Sequence, residues 1–364
     1  MRDSSWLNVC DFGAVGDGQN DCTEAFRKAL EAAAGRRGTV FVPDGVFVTG
    51  TVRLPPHTGL VGNATWGYRE YGGSTLRLKD AAGPCLVDIT GAVGATVNGL
   101  SLQGQDLGSG VHGIYMGANP GKKEEDTPRI ERCHVSHFTG DGIRLDPVWC
   151  FSIRGCEVIF NKGNGLGIRG WDGFILDNWF SGNGGSGIAS IGVTASNTLT
   201  GNRIEWNRGG GIRILGGGHY NITGNYIDRS GGPGLALLPG EGGGPCNCIT
   251  VTGNVIYRSG KPEWTGGDEY ESAHVRLEGG HGIVFVGNSL CVGQDDGGGV
   301  MSPRYSIVLR ALKNAVVANN TMNIGSLKAL VQDLGEHGEG VVIRDNVGNL
   351  FRDEGTTIWA SGQI

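Results

Sequence analysis

A short phrase of polar and apolar positions recurs along the chain. It has a small polar corner residue, an apolar residue two positions later, a Gly-rich turn, and then apolar positions alternating with any residue. The corner falls at Cys133, Cys156, Asn178, Asn202, Asn225, Asn254, Asn288, Asn320 and Asn346, so successive corners lie 22 to 34 residues apart. Three residues before them stand Ile130, Ile153, Ile175, Leu199, Ile222, Val251, Phe285, Val317 and Ile343. Two residues after the first eight stand Val135, Val158, Phe180, Ile204, Ile227, Ile256, Leu290 and Met322. In the coils without insertions, Ile143, Leu166, Ile188, Ile212 and Leu235 follow ten residues after the corner. Alternation at period two gives three short strands per unit, each with one face inward. No unit can bury that face alone. Stacking the units about 4.8 Å apart closes an apolar core and pairs the backbone laterally. The pattern predicts an all-β fold, a single-stranded right-handed parallel β-helix, with the corner Asn residues forming a side-chain amide ladder. Cys133 and Cys156 share that column and read as small buried stand-ins for Asn rather than a disulfide. A propeller would need repeats of about 40–50 residues and a blade signature, and the chain has neither.

The N-terminal part departs from this period. Asp21 is placed to cap a helix, with Glu24 reaching back in a capping box. Ala25, Phe26, Ala29, Leu30 and Ala33 form a stripe at helical spacing. Such a helix covers the open end of a β-stack and keeps its edge from pairing with other chains. The expected organisation is a lead-in with a short N-terminal capping α-helix over 1–37, then one continuous β-helix domain over 38–364.

Sixty-nine of the 364 residues are Gly, without the strict triplet period of collagen. They serve the sharp corners of the coil, where φ is often positive. The formal net charge is −6, which argues against nucleic acid, whose phosphates need a basic face. No run of about 18 apolar residues exists to span a membrane. Met1–Trp6 carries no apolar stretch of a secretory leader, so a cytoplasmic location is expected, or a secreted one if a leader was removed. The nine cysteines include no C-x₂-C pair, and Cys246-x-Cys248 has the wrong spacing for zinc. Free, mostly buried thiols and no bound metal are expected.

Aligned coils bring outward side chains on neighbouring rungs about 5 Å apart. The third position after the corner then places Glu205 beside Asp228. Two carboxyls so close push one proton affinity up, and a spacing of about 5–5.5 Å suits retaining glycosidic cleavage. Glu205 and Asp228 are the candidate acid and nucleophile or base. Arg203 and Tyr226 flank them one position earlier, Trp206 and Arg229 one position later, and Arg144 and Arg213 project from the next strand. Aromatic faces stack on sugar rings and guanidiniums orient carboxylates or hydroxyls. A solvated surface with cross-rung ion pairs, such as Arg203 to Asp228, is the structural alternative. The coils from Asn254 and Asn288 carry insertions over 259–274 and 292–305, on the side of this strand. Loops that grow on one side of a solenoid build its binding wall. They add Glu263, Trp264, Glu271, His274 as a possible general base, Arg276, Asp295 and Asp296 to the substrate-binding set. The aromatic segment Trp66–Gly73 either covers a lateral face or helps bind sugar.

Asp11-Phe12-Gly13-Ala14, Gly16-Asp17-Gly18 and Asp21-x-Thr23-x-Ala25 resemble the opening segment of the pectate-lyase-like superfamily of right-handed β-helix proteins. That superfamily includes glycoside hydrolases, polysaccharide lyases, alginate epimerases and phage tailspikes. The resemblance implies a carbohydrate substrate and an enzyme that cleaves or rearranges glycosidic bonds, foremost a glycoside hydrolase. It also allows a lyase or C5-epimerase on a uronate polymer, with Ca²⁺ as a possible cofactor in a lyase. An inulin-fructotransferase-like activity, or a tailspike-like glycan-binding module without turnover, also fits. A homo-oligomer, dimer or trimer, is compatible with the flat faces of such a rod. The polygalacturonase motifs do not carry over: Asn-Thr-Asp is absent, and Gly280-His281-Gly282 precedes Asp295-Asp296.

Overall fold

The period-two segments fold as short parallel strands, three to a coil. Arg129–Glu131, His134–Ser136 and Ile143–Trp149 make one coil and pair in parallel with Ser152–Arg154, Glu157–Ile159 and Leu166–Trp171 of the next. The register sets Ile130 on Ile153, Val135 on Val158 and Ile143 on Leu166, so like residues stack in columns. The computed structural model describes residues 6–121, 124–296 and 298–352, in two compact units, residues 1–183 and 184–364. Met1–Ser5, part of the segment read for a leader, lie outside the described residues. Each unit is built from three parallel sheets, called here first, second and third in the order the chain visits them within a coil. Both units are right-handed parallel β-helices. In the C-terminal unit the same arrangement joins Arg203–Glu205 to Tyr226–Asp228 in the second sheet and Gly210–Leu215 to Leu235–Leu238 in the third.

The inward columns are dry. Ile130, Val135, Ile143, Ile153, Val158 and Leu166 of the N-terminal unit, and Leu199, Ile204, Ile212, Ile222 and Ile227 of the other, are all buried. Truncating one such side chain to Ala typically costs about 2–5 kcal/mol, because a stacked core relaxes only partly around the gap.

The corner ladder forms as expected. In the C-terminal unit each Asn carboxamide oxygen accepts the backbone N–H of the preceding corner: Asn225 from Asn202 at 3.0 Å, Asn254 from Asn225 at 2.9 Å, Asn288 from Asn254 at 3.0 Å. The amide nitrogens donate back to carbonyls inside the coil, Asn254 to Ile222 at 3.0 Å. Cys156 and Cys133 occupy the same column as free buried thiols, and the other seven cysteines are free as well. Residues just before the corners take the left-handed conformation, either as Gly (155, 201, 224, 253, 287) or as Arg132, Asp177, Asn319 and Asp345.

The helix Thr23–Ala34 (α1) buries Ala25, Phe26, Ala29, Leu30 and Ala33 as the stripe predicts. Its start differs from the expected capping box. Cys22 is the N-cap, Asp21 accepts from the Thr23 N–H at 2.9 Å, and Glu24 turns away to pair with Arg27. The Thr23 hydroxyl and N–H hold Asp21 and bring its carboxyl down to about 2. Among the described residues no helix is long and apolar enough to cross a membrane.

Candidate functional site

Glu205 and Asp228 are paired in register on adjacent rungs, as the coil alignment requires. They do not line an open trough. Glu205 is 4% exposed and Asp228 0%. The cause lies one residue further on. Trp206, Arg229 and Arg258 all adopt positive φ, at 60°, 52° and 48°, and so fall into a second column beside the acids. Arg229 lies over the Trp206 ring at 4.5 Å and Arg258 over the Tyr257 ring at 4.0 Å. A left-handed non-Gly residue costs about 1–2 kcal/mol, so neighbouring contacts must hold three of them in place. Asp228 supplies several. Its Oδ1 accepts from Arg258 Nε at 3.0 Å, and its Oδ2 accepts from Arg258 Nη2 and Arg229 Nη1, both at 2.7 Å. Burial pushes the Asp228 carboxyl above its ordinary value, with the two guanidiniums working the other way. Burial also works against the charge of Arg258, but its bonds to Asp228 outweigh that and raise its pKa. Asp296, brought in by the 292–305 insertion, closes the cluster against Arg229 Nη2 at 2.7 Å and Arg258 Nη1 at 3.2 Å. Arg203, which the structural alternative paired with Asp228, pairs with Glu205 at 3.0 Å and lies over Tyr226 at 4.9 Å. The two carboxyls are thus corrected from reactive groups in a groove to buried anchors. Both Asp228 oxygens are already taken by guanidiniums, and no sugar reaches a fully covered acid.

The loop residues divide. Trp206 and Trp264 are 39% and 42% exposed, with Lys261 Nζ 5.9 Å and 4.8 Å from their ring centres and paired to Asp295. Trp264 lies against Gly231, where a Cβ would stand 2.3 Å from Cε3 of the indole, so the platform requires glycine beneath it. Glu263 is exposed on the short turn Pro262–Trp264. On the third-sheet face Glu271 bridges Arg213 at 3.0 Å and Arg276 at 2.7 Å, and Arg276 also meets Asp268 and Glu278 at 2.6 and 2.8 Å. His274 is corrected. It is fully buried, and burial drives its pKa down to about 3, so it is a neutral core side chain and not an accessible base.

A cluster of which the sequence pattern picks out only Arg144 sits on the third-sheet face of the N-terminal unit. Arg144 Nη2 contacts Asp146 at 3.0 Å, and Arg169 Nε contacts its other oxygen at 2.6 Å. Arg144 also reaches Asp141 at 3.3 Å. The register slips between Leu145 and Val148, a bulge that re-aims Asp146. His112 stacks on Tyr115 at 5.6 Å, and its Nδ1 accepts the Asp141 N–H at 2.9 Å, which leaves the proton of the neutral ring on Nε2. Burial lowers the His112 pKa, against the nearby Asp141 charge. At the end of the same strands Trp149 and Trp171 pair on adjacent rungs, both more than a third exposed, with the Trp149 indole N–H donating to Asp172 at 2.6 Å. The available signal was spacing. The two Trp stand 22 residues apart, the same interval as Cys156 to Asn178.

Residues 141–297 and 190–361 match the family described as right handed beta helix region. Residues 6–75 match rhamnogalacturonase A/epimerase, pectate lyase-like. The chain is 26% identical over 243 residues to mannuronan C5-epimerase AlgE5 of Azotobacter vinelandii, covering 60% of this chain and 23% of that protein. It therefore spans less than a quarter of that relative's length. Among solved structures, the Dettilon tailspike protein superposes with TM-score 0.66 at 16% identity, over 93% of this chain and 68% of that one. DFA-IIIase of Arthrobacter chlorophenolicus A6 superposes with TM-score 0.63 at 13% identity, over 94% of each chain. At these identities the superpositions speak for the fold.

Proposed function

The chain belongs to the right-handed β-helix family, and on that footing we propose that it is a carbohydrate-active enzyme acting on a uronate-containing glycan by moving the proton next to a sugar carboxylate. The observation that carries this reading is the pair of half-exposed guanidiniums, Arg144 and Arg169, converging on Asp146 beside the exposed indoles of Trp149 and Trp171. A substrate carboxylate takes the place that Asp146 holds on one guanidinium, and sugar rings stack along the indoles. Neutralising that carboxylate acidifies the adjacent C5–H, because the electron pair left behind spreads onto its oxygens. Tyr115, paired with Arg144 on the adjacent rung, stands as the group that takes the proton, and His112, whose Nδ1 already accepts the Asp141 N–H, donates a hydrogen bond from Nε2 instead of acting as the base. Return of a proton to the opposite sugar face gives the C5 epimer. Departure of the C4 oxygen gives an unsaturated product. The likeness to a mannuronan C5-epimerase supports the same substrate class.

A second reading, glycosidic cleavage or transfer, is favoured by the exposed Trp206 and Trp264 with Glu263, Asp295 and Asp296 around them. One experiment separates the two. The protein is incubated with alginate, polygalacturonate and inulin, with Ca²⁺ and with EDTA. Epimer content by NMR, ultraviolet absorbance of unsaturated ends and reducing ends are then followed. The proposal expects a changed uronate polymer, with kcat/KM down about 100-fold in Arg144→Ala from a lost charged contact. Reducing ends or cyclic products from inulin, with both uronates untouched, would reject it in favour of the second reading.

A further inference from the structure

The second-sheet face of the N-terminal unit carries a polar floor that the reaction above leaves unused. One row of that sheet runs Thr75, Ser101, His134, Glu157 and Trp179 on consecutive rungs. The row two residues on runs Arg77, Gln103, Ser136, Ile159 and Ser181. A small hairpin lies over both rows. Ala64 bridges antiparallel to Gly73 and Gly67 to Glu70, with Tyr68 and Arg69 at the tip. Trp66 faces His134, ring centres 5.9 Å apart. Tyr68 packs on Trp179 at 4.6 Å, and its hydroxyl meets Ser181 Oγ at 2.6 Å. The Tyr71 hydroxyl accepts from Arg77 at 3.1 Å. At the root of the hairpin Gly73 has φ +62°, and a Cβ there would stand 2.2 Å from the Asn63 carbonyl oxygen.

The covered side chains are poorly served by their cover. Thr75, Ser101, His134, Ser136 and Glu157 are each more than nine-tenths buried. Yet Thr75 Oγ1, Ser101 Oγ, Ser136 Oγ, Arg77 Nε, both His134 ring nitrogens and Glu157 Oε1 have no hydrogen-bond partner. Seven of the thirteen such atoms among the described residues lie on this one face. Native folds tolerate few of these, since each gives up its hydration without return. Burial raises the Glu157 carboxyl above its ordinary value, opposed by a hydrogen bond from the Trp66 indole, and that N–H is the one donor the indole has. Burial, with His137 nearby, takes the His134 pKa down to about 4, opposed by an approach to the Tyr68 backbone that falls short of a full hydrogen bond. The floor alternates hydroxyl, imidazole and carboxyl groups over a few rungs, a mixture of donors and acceptors that a ring bearing several hydroxyls matches and an indole does not.

We propose that the hairpin 64–73 is a closed lid over a second, saccharide-binding subsite. Thr75, Ser101, His134, Ser136 and Glu157 form its floor, and Trp66 occupies the place of the sugar ring until the hairpin lifts. The ligand class is a hydroxyl-rich sugar residue within a glycan, with Trp179 and Tyr68 as stacking faces. The subsite lies on a different sheet from Arg144 and Arg169 and does not depend on the reaction assigned there.

Calorimetric titration of the full chain with hexasaccharides of alginate, polygalacturonate, cellulose and inulin tests it. Trp66→Ala empties the floor of its indole, so at least one probe binds this variant about tenfold more tightly than the parent chain, the affinity that displacing the lid had cost. Ser101→Ala and Ser136→Ala, each made in that background, weaken the binding about fivefold, while thermal stability holds or rises because an unpartnered buried hydroxyl has been removed. Absence of binding by every probe to Trp66→Ala overturns the proposal. So does binding that Ser101→Ala and Ser136→Ala leave unchanged, which places the sugar on another face. Circular dichroism of each variant identifies one that has failed to fold; where Trp66→Ala is that one, Ser101→Ala and Ser136→Ala are made in the parent chain, where weaker binding of a probe supports the proposal, and unchanged binding or no binding by any probe overturns it.

Discussion

Replacing Asp228 by Ala removes the anion that two buried guanidiniums share. Three charge-assisted hydrogen bonds of 2.7–3.0 Å disappear together. The Arg229 and Arg258 side chains are 6% and 3% exposed and cannot turn to water, and Asp296, 47% exposed, is left as a partner of both. Removing one member of a buried ion pair costs about 3–5 kcal/mol, because the other charge stays desolvated. Asp296 offsets part of this, so a loss of about 3 kcal/mol is expected. Asp228→Asn keeps the shape but turns an NH₂ toward guanidinium donors, and falls in the same range. Denaturant unfolding of the whole chain, with hydrogen exchange over 203–229, reads the stability, and turnover is normalised to the folded fraction. The expected result is a destabilised C-terminal unit whose folded molecules keep turnover within about threefold, since no transition-state contact is lost. Native stability combined with a loss of turnover by orders of magnitude would refute this reasoning and restore Asp228 as a reacting group.

Asn254→Ala orphans the Asn225 N–H and the Ile222 carbonyl, so a loss of about 3 kcal/mol is expected in urea unfolding, with Asn254→Cys costing less; equal stability of the Ala variant would count against the ladder. His134 and His274 are held neutral, with pKa values near 4 and 3 against about 6.5 unfolded. As pH falls the unfolded chain takes up these protons first, so the stability present above about pH 6.5 is lost progressively down to the folded values, about 3 kcal/mol for His134 alone. Thermal midpoints measured from pH 8 to 4 check this, and His274→Leu should flatten the profile. Trp149→Ala and Trp171→Ala should each raise KM several-fold with kcat nearly unchanged, as expected for about 1 kcal/mol of ring stacking; a fall in kcat alone would place the indoles at the reacting bond instead.

The coil, its inward columns and the amide ladder were legible in the chain. A parallel stack makes every residue the neighbour of its counterpart one coil away, so the period writes the contacts directly. Cys133 and Cys156 could be placed among the Asn corners on that basis alone, and Glu205 could be set against Asp228. Whether that pair met water was not legible. The cover comes from three left-handed residues and from Asp296, 67 residues beyond the Arg229 it grips, and neither a backbone φ nor the landing of an inserted loop is periodic. Arg144 was legible as an outward arginine, but the strip it forms with Arg169 and Asp146 escaped for the same reason. Arg144 pairs with Gly167, and Asp146 is turned by a bulge, so its members share no column. The local pattern of apolar residues decides which side of each strand faces the core, because burial of that side drives the fold. Which part of the outer surface stays open depends on what distant segments lay over it, and only the tertiary structure decides that.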